Sequence, residues 1–200
     1  MIINMRGTGG SGKSYIVRAV MARCAETMPR SVAGRRRPIG YDCRLPNGDP
    51  LFVPGHYETP CGGCDTIKTP DEAYALITAA AEAGAHVVFE GIIVQDDVRR
   101  MIEIASRHPV LVLALQVPID ECLNAIRFRR AARGDSRALN PRNTVARVRR
   151  LEGTMRRLRE AGVDARWADR VAALAQCLEA LGIEGDAIAQ PPEQEQLALW

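Results

Sequence analysis

The stretch GTGGSGKS, from Gly7 to Ser14, constrains the fold of this chain more than any other feature. It matches the pattern G-x-x-x-x-G-K-[ST], in which glycines let consecutive backbone N–H groups curl around phosphate oxygens. The apolar segment MIINM precedes it, and the segment SYIVRAVMARCAETM, with apolar residues at helical spacing through Cys24, follows it. A strand, a phosphate-binding loop and a helix are therefore predicted in that order.

This loop is also the predicted nucleotide site. Lys13 is expected to reach the β- and γ-phosphates of ATP as a compact point charge, for which arginine is a poor substitute. Ser14 is expected to bind Mg²⁺, so ATP and Mg²⁺ are the predicted cofactors. The residues predicted to line the phosphates with backbone groups are Gly7, Thr8, Gly9, Gly10, Ser11 and Gly12.

A second carboxylate is needed beside such a loop for the metal ion or for its water. The segment AHVVFEG reads as a buried strand that ends at Glu90 and opens beside the first loop. Glu90 is the candidate for the Mg²⁺ shell or for orienting the nucleophile. The structural alternative is a glutamate that caps a helix or ends a strand.

Composition limits the class of protein. A length of 200 residues with 46% hydrophobic content is enough for one domain with a substantial core. The N-terminal residues do not resemble a secretory signal or a membrane span, so a cytosolic location is expected. The 6 cysteines are then predicted to be free thiols or part of a metal site.

The remaining elements alternate between strands and helices, which predicts an α/β fold with a parallel sheet. Thr69 and Glu72 form a capping box with Pro70 at the first helical position. The apolar run PVLVLALQVP predicts a central strand, and the segment ARWADR predicts a short last strand before a final helix.

Positive charge is concentrated between Arg127 and Arg159, a segment that contains twelve arginines but one Asp and one Glu. The part from about 127 to 143 is predicted to be a lid over the nucleotide. Arg130 and Arg133 are the candidates for stabilising the transferred phosphoryl group, and Arg129 for binding the nucleotide. The alternative is a basic helix face in contact with solvent.

The segment from about 38 to 65 is predicted to hold the phosphate acceptor. Two extended runs around Asn47 and Gly48 predict a β-hairpin. In the following CGGCD, Asp65 is the candidate general base, and Asp42 on the hairpin is a second candidate. The aromatic residues Tyr41, Phe52 and Tyr57 fit either a base-stacking surface or core packing.

The same segment also has the spacing of a metal site. Two residues separate Cys61 from Cys64 in the pattern CxxC, which zinc sites use. Cys43 or His56 would have to complete the tetrahedron. Zinc binding is the alternative to a flexible acceptor loop here.

Three blocks of the sequence together resemble small P-loop kinases encoded by bacteriophages, namely RGTGGSGKS, GHYETPCGGCDTI and VVFEGI. That group is similar to thymidylate kinases and includes the 5-hydroxymethyluracil DNA kinases, which act during thymidine hypermodification. The resemblance covers residues 1 to 183 and implies a five-stranded parallel sheet, an acceptor-binding insertion and an arginine-bearing lid. The Asp-Arg pair of thymidylate kinases is not visible, because Glu90 and Gly91 stand in its place.

Three functions follow as hypotheses. The first is an ATP- and Mg²⁺-dependent kinase that phosphorylates 5-hydroxymethyluracil in DNA, in the cytoplasm of the host cell if the chain is phage-encoded. The second is a kinase for free deoxynucleotides or nucleosides. The third is a nucleotide-binding ATPase or switch that acts through a protein partner.

The segment from 184 to 200 is polar and contains two prolines, and is predicted to be a flexible tail. Its last residues, QLALW, resemble the short peptide with which bacterial DNA enzymes dock on the sliding clamp. The implied partner is the clamp of the host, bound by Gln196, Leu197, Leu199 and Trp200. The alternative is a terminus that folds back on its own domain.

Overall fold

A computed structural model describes residues 1–59, 62–91 and 97–184. Its strands are β1 (Ile2–Arg6), β2 (Glu26–Arg30), β3 (Gly40–Arg44), β4 (Pro50–Pro54), β5 (His86–Glu90), β6 (Val110–Leu115) and β7 (Asp164–Ala168). Its helices are α1 (Lys13–Met21), α2 (Pro70–Glu82), α3 (Asp97–Ala105), α4 (Ile119–Ala131), α5 (Pro141–Glu160) and α6 (Arg170–Ala180), with a 3-10 turn at Cys64–Thr66.

The described strands form one mixed sheet of seven strands in the order β2-β3-β4-β5-β1-β6-β7. The prediction of a five-stranded parallel sheet is therefore wrong in its strand count. Strands β4, β5, β1, β6 and β7 are parallel to one another. At the β4 edge, β3 pairs with β4 and β2 pairs with β3, both in antiparallel fashion.

The extra edge strand comes from a segment that was predicted to be helical. Helix α1 ends at Met21, before the predicted Cys24. Residues 26 to 30 do not extend the helix but pair with β3 as a strand. The backbone N–H of Ala25 donates to the carbonyl of Arg44, which starts this pairing. Pro29 has no N–H to offer, and this suits an edge strand, which leaves one side of its backbone unpaired.

The predicted hairpin around Asn47 and Gly48 is confirmed, and it joins the main sheet. Strands β3 and β4 pair in antiparallel fashion, and the N–H of Gly48 donates to the carbonyl of Leu45 at the tip. Strand β4 then pairs with β5 in parallel. The hairpin is thus continuous with the main sheet.

Helices cover both faces of the sheet. Helices α1 and α6 pack on one face and helices α2, α3 and α5 on the other, each over its own buried cluster. The predicted start of α2 is confirmed, because Thr69 caps the helix by accepting from the N–H of Glu72. Tyr41, Phe52 and Tyr57 are all buried, so core packing accounts for them and a base-stacking surface does not.

Parallel pairing brings the carboxyl ends of β4, β5, β1 and β6 to the same edge of the sheet. The segments that begin at Gly7, Gly55 and Gly91 therefore all start at this edge, which we call the carboxyl edge. Within the described ranges, no helix combines the length and the apolar character that crossing a bilayer requires.

Candidate active site

The loop between β1 and α1 is held closed by its own hydrogen bonds. Lys13 folds back over the loop, and its Nζ lies 3.1 Å from the carbonyl oxygen of Gly7 and 2.9 Å from that of Thr8. The hydroxyl of Ser11 donates to the same Thr8 carbonyl at 2.9 Å. The ammonium group therefore sits at the mouth of the loop, where a phosphate would meet it.

Glu90 lies directly beside this loop. Strand β5 is parallel to β1, with Glu90 in register with Met5, as the sequence predicted for a neighbouring strand. The hydroxyl of Ser14 donates to Oε1 of Glu90, and Nζ of Lys13 is 4.0 Å from Oε2. A hydroxyl and a carboxylate in contact are oxygen ligands of the kind that Mg²⁺ prefers, so the donor set fits this ion.

The carboxyl group of Glu90 is almost completely buried. Burial raises its pKa, and the neighbouring Lys13 and Ser14 oppose the rise without cancelling it. Ionised Glu90 therefore depends on cations and hydrogen-bond donors around it. This is the electrostatic setting of a group that works beside a metal ion or a phosphate.

Asp65 approaches the same place from the 3-10 turn after the hairpin. Its Oδ1 would lie 3.0 Å from a side-chain carbon placed on Gly91, the residue next to Glu90. Its charge contributes to the raised pKa of Glu90. Unlike Glu90, Asp65 is exposed. The structure thus brings together Lys13, Ser14, Glu90 and Asp65, four of the residues predicted from the sequence.

The turn that carries Asp65 closes over Glu90 through Gly63. A side-chain carbon at Gly63 would lie 2.9 Å from the backbone oxygen and 2.9 Å from Oε1 of Glu90, and the residue has φ +84°. The described residues 55–59 and 62–66, which we call the acceptor loop, are tied here because the N–H of Gly63 donates to the carbonyl of His56. Only glycine suits both the backbone and the space.

Replacing Gly63 with alanine is expected to lower the free energy of unfolding by about 1–3 kcal/mol, because the new methyl group strains the turn and displaces Glu90. The kcat should fall with it. Urea unfolding and steady-state kinetics measure the two effects. Gly153→Ala on α5 is the matched control, because nothing lies within 4 Å of that position and alanine favours a helix. Equal stability of the two variants would contradict this account.

Arg18, which the sequence did not single out, connects α1 with the acceptor loop. Arg18 lies one turn after Ser14, and its Nη1 is 3.4 Å from the carbonyl oxygen of Tyr57 and 3.3 Å from that of Thr59. The buried hydroxyl of Tyr57 has no hydrogen-bond partner within the described residues. Burial, followed by the charge of Glu90, raises the pKa of this hydroxyl well above its usual value.

Helices α4, α5 and α6 hold the other side of the phosphate loop. A side-chain carbon at Gly10 would lie 2.3 Å from the carbonyl oxygen of Cys122 on α4, so the two backbones are in close contact. Nη1 of Arg147 on α5 would be 3.8 Å from such a carbon at Gly9. Arg170 on α6 donates from Nε to the carbonyl oxygen of Ser11 at 3.1 Å. These two arginines were missed because helix packing, not sequence spacing, brings them here.

The predicted lid arginines lie at the end of α4. Arg129 and Arg130 belong to its last turn, and Arg133 follows the helix. Arg130 donates to the carbonyl oxygen of Arg137 at 2.8 Å and faces Asp135 at 3.9 Å. Arg137, followed by Arg130, holds the pKa of Asp135 well below its usual value. Arg130 therefore stabilises the turn after α4, and the action of these arginines on a phosphate stays a prediction.

The predicted zinc site finds no support within the described residues, where no group of three His, Cys, Asp or Glu side chains is placed to hold a metal ion. Cys61 lies outside them. Cys64 is buried in the cluster under α2, whereas Cys43 belongs to the cluster on the opposite face of the sheet. Asp42, the second candidate base, is occupied by an ion pair with Arg30.

Comparison with known proteins gives two relatives from bacteriophages. The chain is 36% identical over 184 residues to the "5-hmdU DNA kinase" of Pseudomonas phage PaMx11, which covers 90% of this chain and 97% of that protein. It is 28% identical over 181 residues to the protein of the same name from Delftia phage PhiW-14, which covers 81% of this chain and 65% of the relative. No protein-family model and no solved structure matches the chain.

Proposed function

The chain belongs to the 5-hmdU DNA kinases, and on this premise we propose that it transfers the γ-phosphate of ATP to the 5-hydroxymethyl group of 5-hydroxymethyluracil in DNA. The protein is then a phosphotransferase with a P-loop kinase fold. Its reaction is a step in the modification of a phage genome. The observation that carries the proposal is the convergence of Lys13, Ser14, Glu90 and Asp65 at the carboxyl edge.

The two carboxylates have different roles in this proposal. Glu90 faces Ser14 and Lys13, so it belongs to the phosphate side and would hold Mg²⁺ together with Ser14. An ion bound there would neutralise charge on the phosphates during transfer. Asp65 is exposed on the acceptor loop, and we therefore assign it the role of general base.

The reaction is a single displacement. The 5-hydroxymethyl oxygen of the base attacks the γ-phosphorus, the bond from that phosphorus to the bridging oxygen breaks, and ADP leaves. The hydroxyl proton passes to the carboxylate of Asp65. Lys13 meets the phosphate oxygens on the side of the loop, and Arg147, beside Gly9, joins it there.

The acceptor is tested by offering [γ-³²P]ATP with four substrates side by side. These are DNA containing 5-hydroxymethyluracil, thymine DNA of the same sequence, free 5-hydroxymethyl-dUMP and free dTMP. Label in the hydroxymethylated DNA alone is the expected result. Label in the free nucleotides alone would replace the proposal with the nucleotide kinase, and ATP hydrolysis unchanged by every substrate would favour the ATPase or switch.

Docking on the host sliding clamp stays a prediction. Gln196, Leu197, Leu199 and Trp200 lie outside the described residues, and nothing in the comparisons bears on a clamp.

A further inference from the structure

A second concentration of positive charge lies between β2 and β3. Residues 31–39 read SVAGRRRPI and contain three consecutive arginines and no acidic residue. We call this segment the arginine loop. It takes no part in the phosphate site described above, and it is separate from the lid arginines at the end of α4.

Sheet pairing places the arginine loop at the carboxyl edge. Gly40 at the start of β3 pairs with Pro54 at the end of β4, and Arg30 at the end of β2 pairs with Gly40. Because β4 is parallel to β5, the loop leaves the sheet where Glu90 ends its strand. The N–H of Gly55 also donates to the carbonyl of Ile39 at 2.8 Å. The arginine loop is thus joined directly to the start of the acceptor loop.

Two arginines anchor the segment and two project from it. Arg30 stacks over the ring of Phe52 at 4.2 Å and pairs with Asp42, while Arg35 pairs with Glu72 at the start of α2. Arg36 and Arg37 are exposed and have neither a hydrogen bond nor an ion pair within the described part of the chain. Their charges therefore face solvent from a support that is fixed at both ends.

We infer that Arg36 and Arg37 bind the phosphodiester backbone of DNA beside the target base, an inference that rests on the proposed function. Exposed guanidinium groups on the acceptor side suit phosphates that lie outside the catalytic site, as those of a DNA strand do. In the sheet order, β4, β5 and β1 lie between the strands that carry this loop and β6, the strand that precedes α4 and the lid. DNA is thus held on the acceptor side, opposite the nucleotide-binding lid.

The test uses the full chain with the double substitution Arg36→Ala/Arg37→Ala and a duplex that contains 5-hydroxymethyluracil. Loss of two phosphate contacts should raise the KM for DNA by about tenfold or more at 0.1 M salt. The slope of log K against log salt should become shallower by about 2. The kcat at saturating DNA and the Kd for ATP should stay within about twofold of the wild-type values, because neither residue touches the phosphate site.

Arg156→Ala/Arg157→Ala is the matched control, because it removes the same charge from two exposed positions in the last turns of α5, just before β7 begins at the opposite edge of the sheet. Its KM and salt slope should equal those of the wild type. Arg36→Lys/Arg37→Lys should restore most of the salt slope, since the charge is kept.

An unchanged KM and salt slope in the alanine variant would overturn the inference while wild-type activity on DNA leaves the proposed function standing. The same rise in KM and the same loss of salt slope in both alanine variants would also overturn it, since net charge alone would then explain the effect. A wild type that phosphorylates only free nucleotides would overturn the proposed function and this inference together.

Discussion

Replacing Lys13 with alanine is expected to lower kcat by a factor on the order of 10³ or more. The ammonium group lies over the carbonyls of Gly7 and Thr8, and it is 4.0 Å from Oε2 of Glu90. Its removal leaves the phosphates without their point charge and Glu90 without this ion pair. Labelled phosphate transfer at saturating ATP and DNA measures the loss.

Lys68→Ala is the control for this substitution, because Lys68 is the other lysine of the chain and is exposed. Its kcat should equal that of the wild type. Lys13→Arg should recover little activity, since the guanidinium group is planar and larger than the ammonium group. A Lys13→Ala variant that retains a tenth or more of the wild-type kcat would contradict the assignment of this loop as the phosphate site.

Replacing Glu90 with glutamine should separate activity from stability. The kcat is expected to fall by roughly 10²-fold or more, because the Mg²⁺ ligand beside Ser14 loses its charge. The free energy of unfolding should not fall at neutral pH. Burial raises the pKa of Glu90, so its ionised form is less favourable in the folded protein than in the unfolded chain.

The sign of this effect fixes its pH dependence. Stability from protonated Glu90 is fully present below the pKa of an ordinary glutamate and is lost as pH rises through the raised pKa. The glutamine variant, which resembles the protonated form, should therefore gain stability relative to the wild type over that window. Urea unfolding across the acidic and neutral range measures the difference, with Glu103→Gln, at an exposed position of α3, as the control. A variant less stable than the wild type at every pH would refute the prediction.

Local patterns predicted the part of the site that is built from consecutive residues. The strand, the glycine-rich loop and the helix from Ile2 to Met21 are adjacent in sequence, and the apolar run before Glu90 identified its neighbouring strand. The N-cap of α2 at Thr69 was predicted for the same reason, although the Glu72 side chain of the predicted capping box pairs with Arg35 instead. In each case the determining interactions lie within a few residues.

Pairing between distant segments explains what the sequence did not predict. The residues of β2 are almost all exposed and have no alternating pattern, so only their pairing with β3 makes them a strand. Arg147 and Arg170 reach the phosphate loop through the packing of α5 and α6. The placement of the arginine loop at the carboxyl edge likewise depends on the register of β3 with β4.

The measurement that tests the central claim most directly uses a covalently closed circular DNA that contains 5-hydroxymethyluracil. Such a circle has no strand ends, and so it has no terminal hydroxyl groups that could accept phosphate. It differs from a thymine circle of the same sequence in its hydroxymethyl groups. The account predicts label from [γ-³²P]ATP in the hydroxymethylated circle, recovered after nuclease digestion as a nucleoside with phosphate on the 5-methylene oxygen. Label confined to the ends of linear DNA or to free nucleotides, with both circles unlabelled, would contradict it.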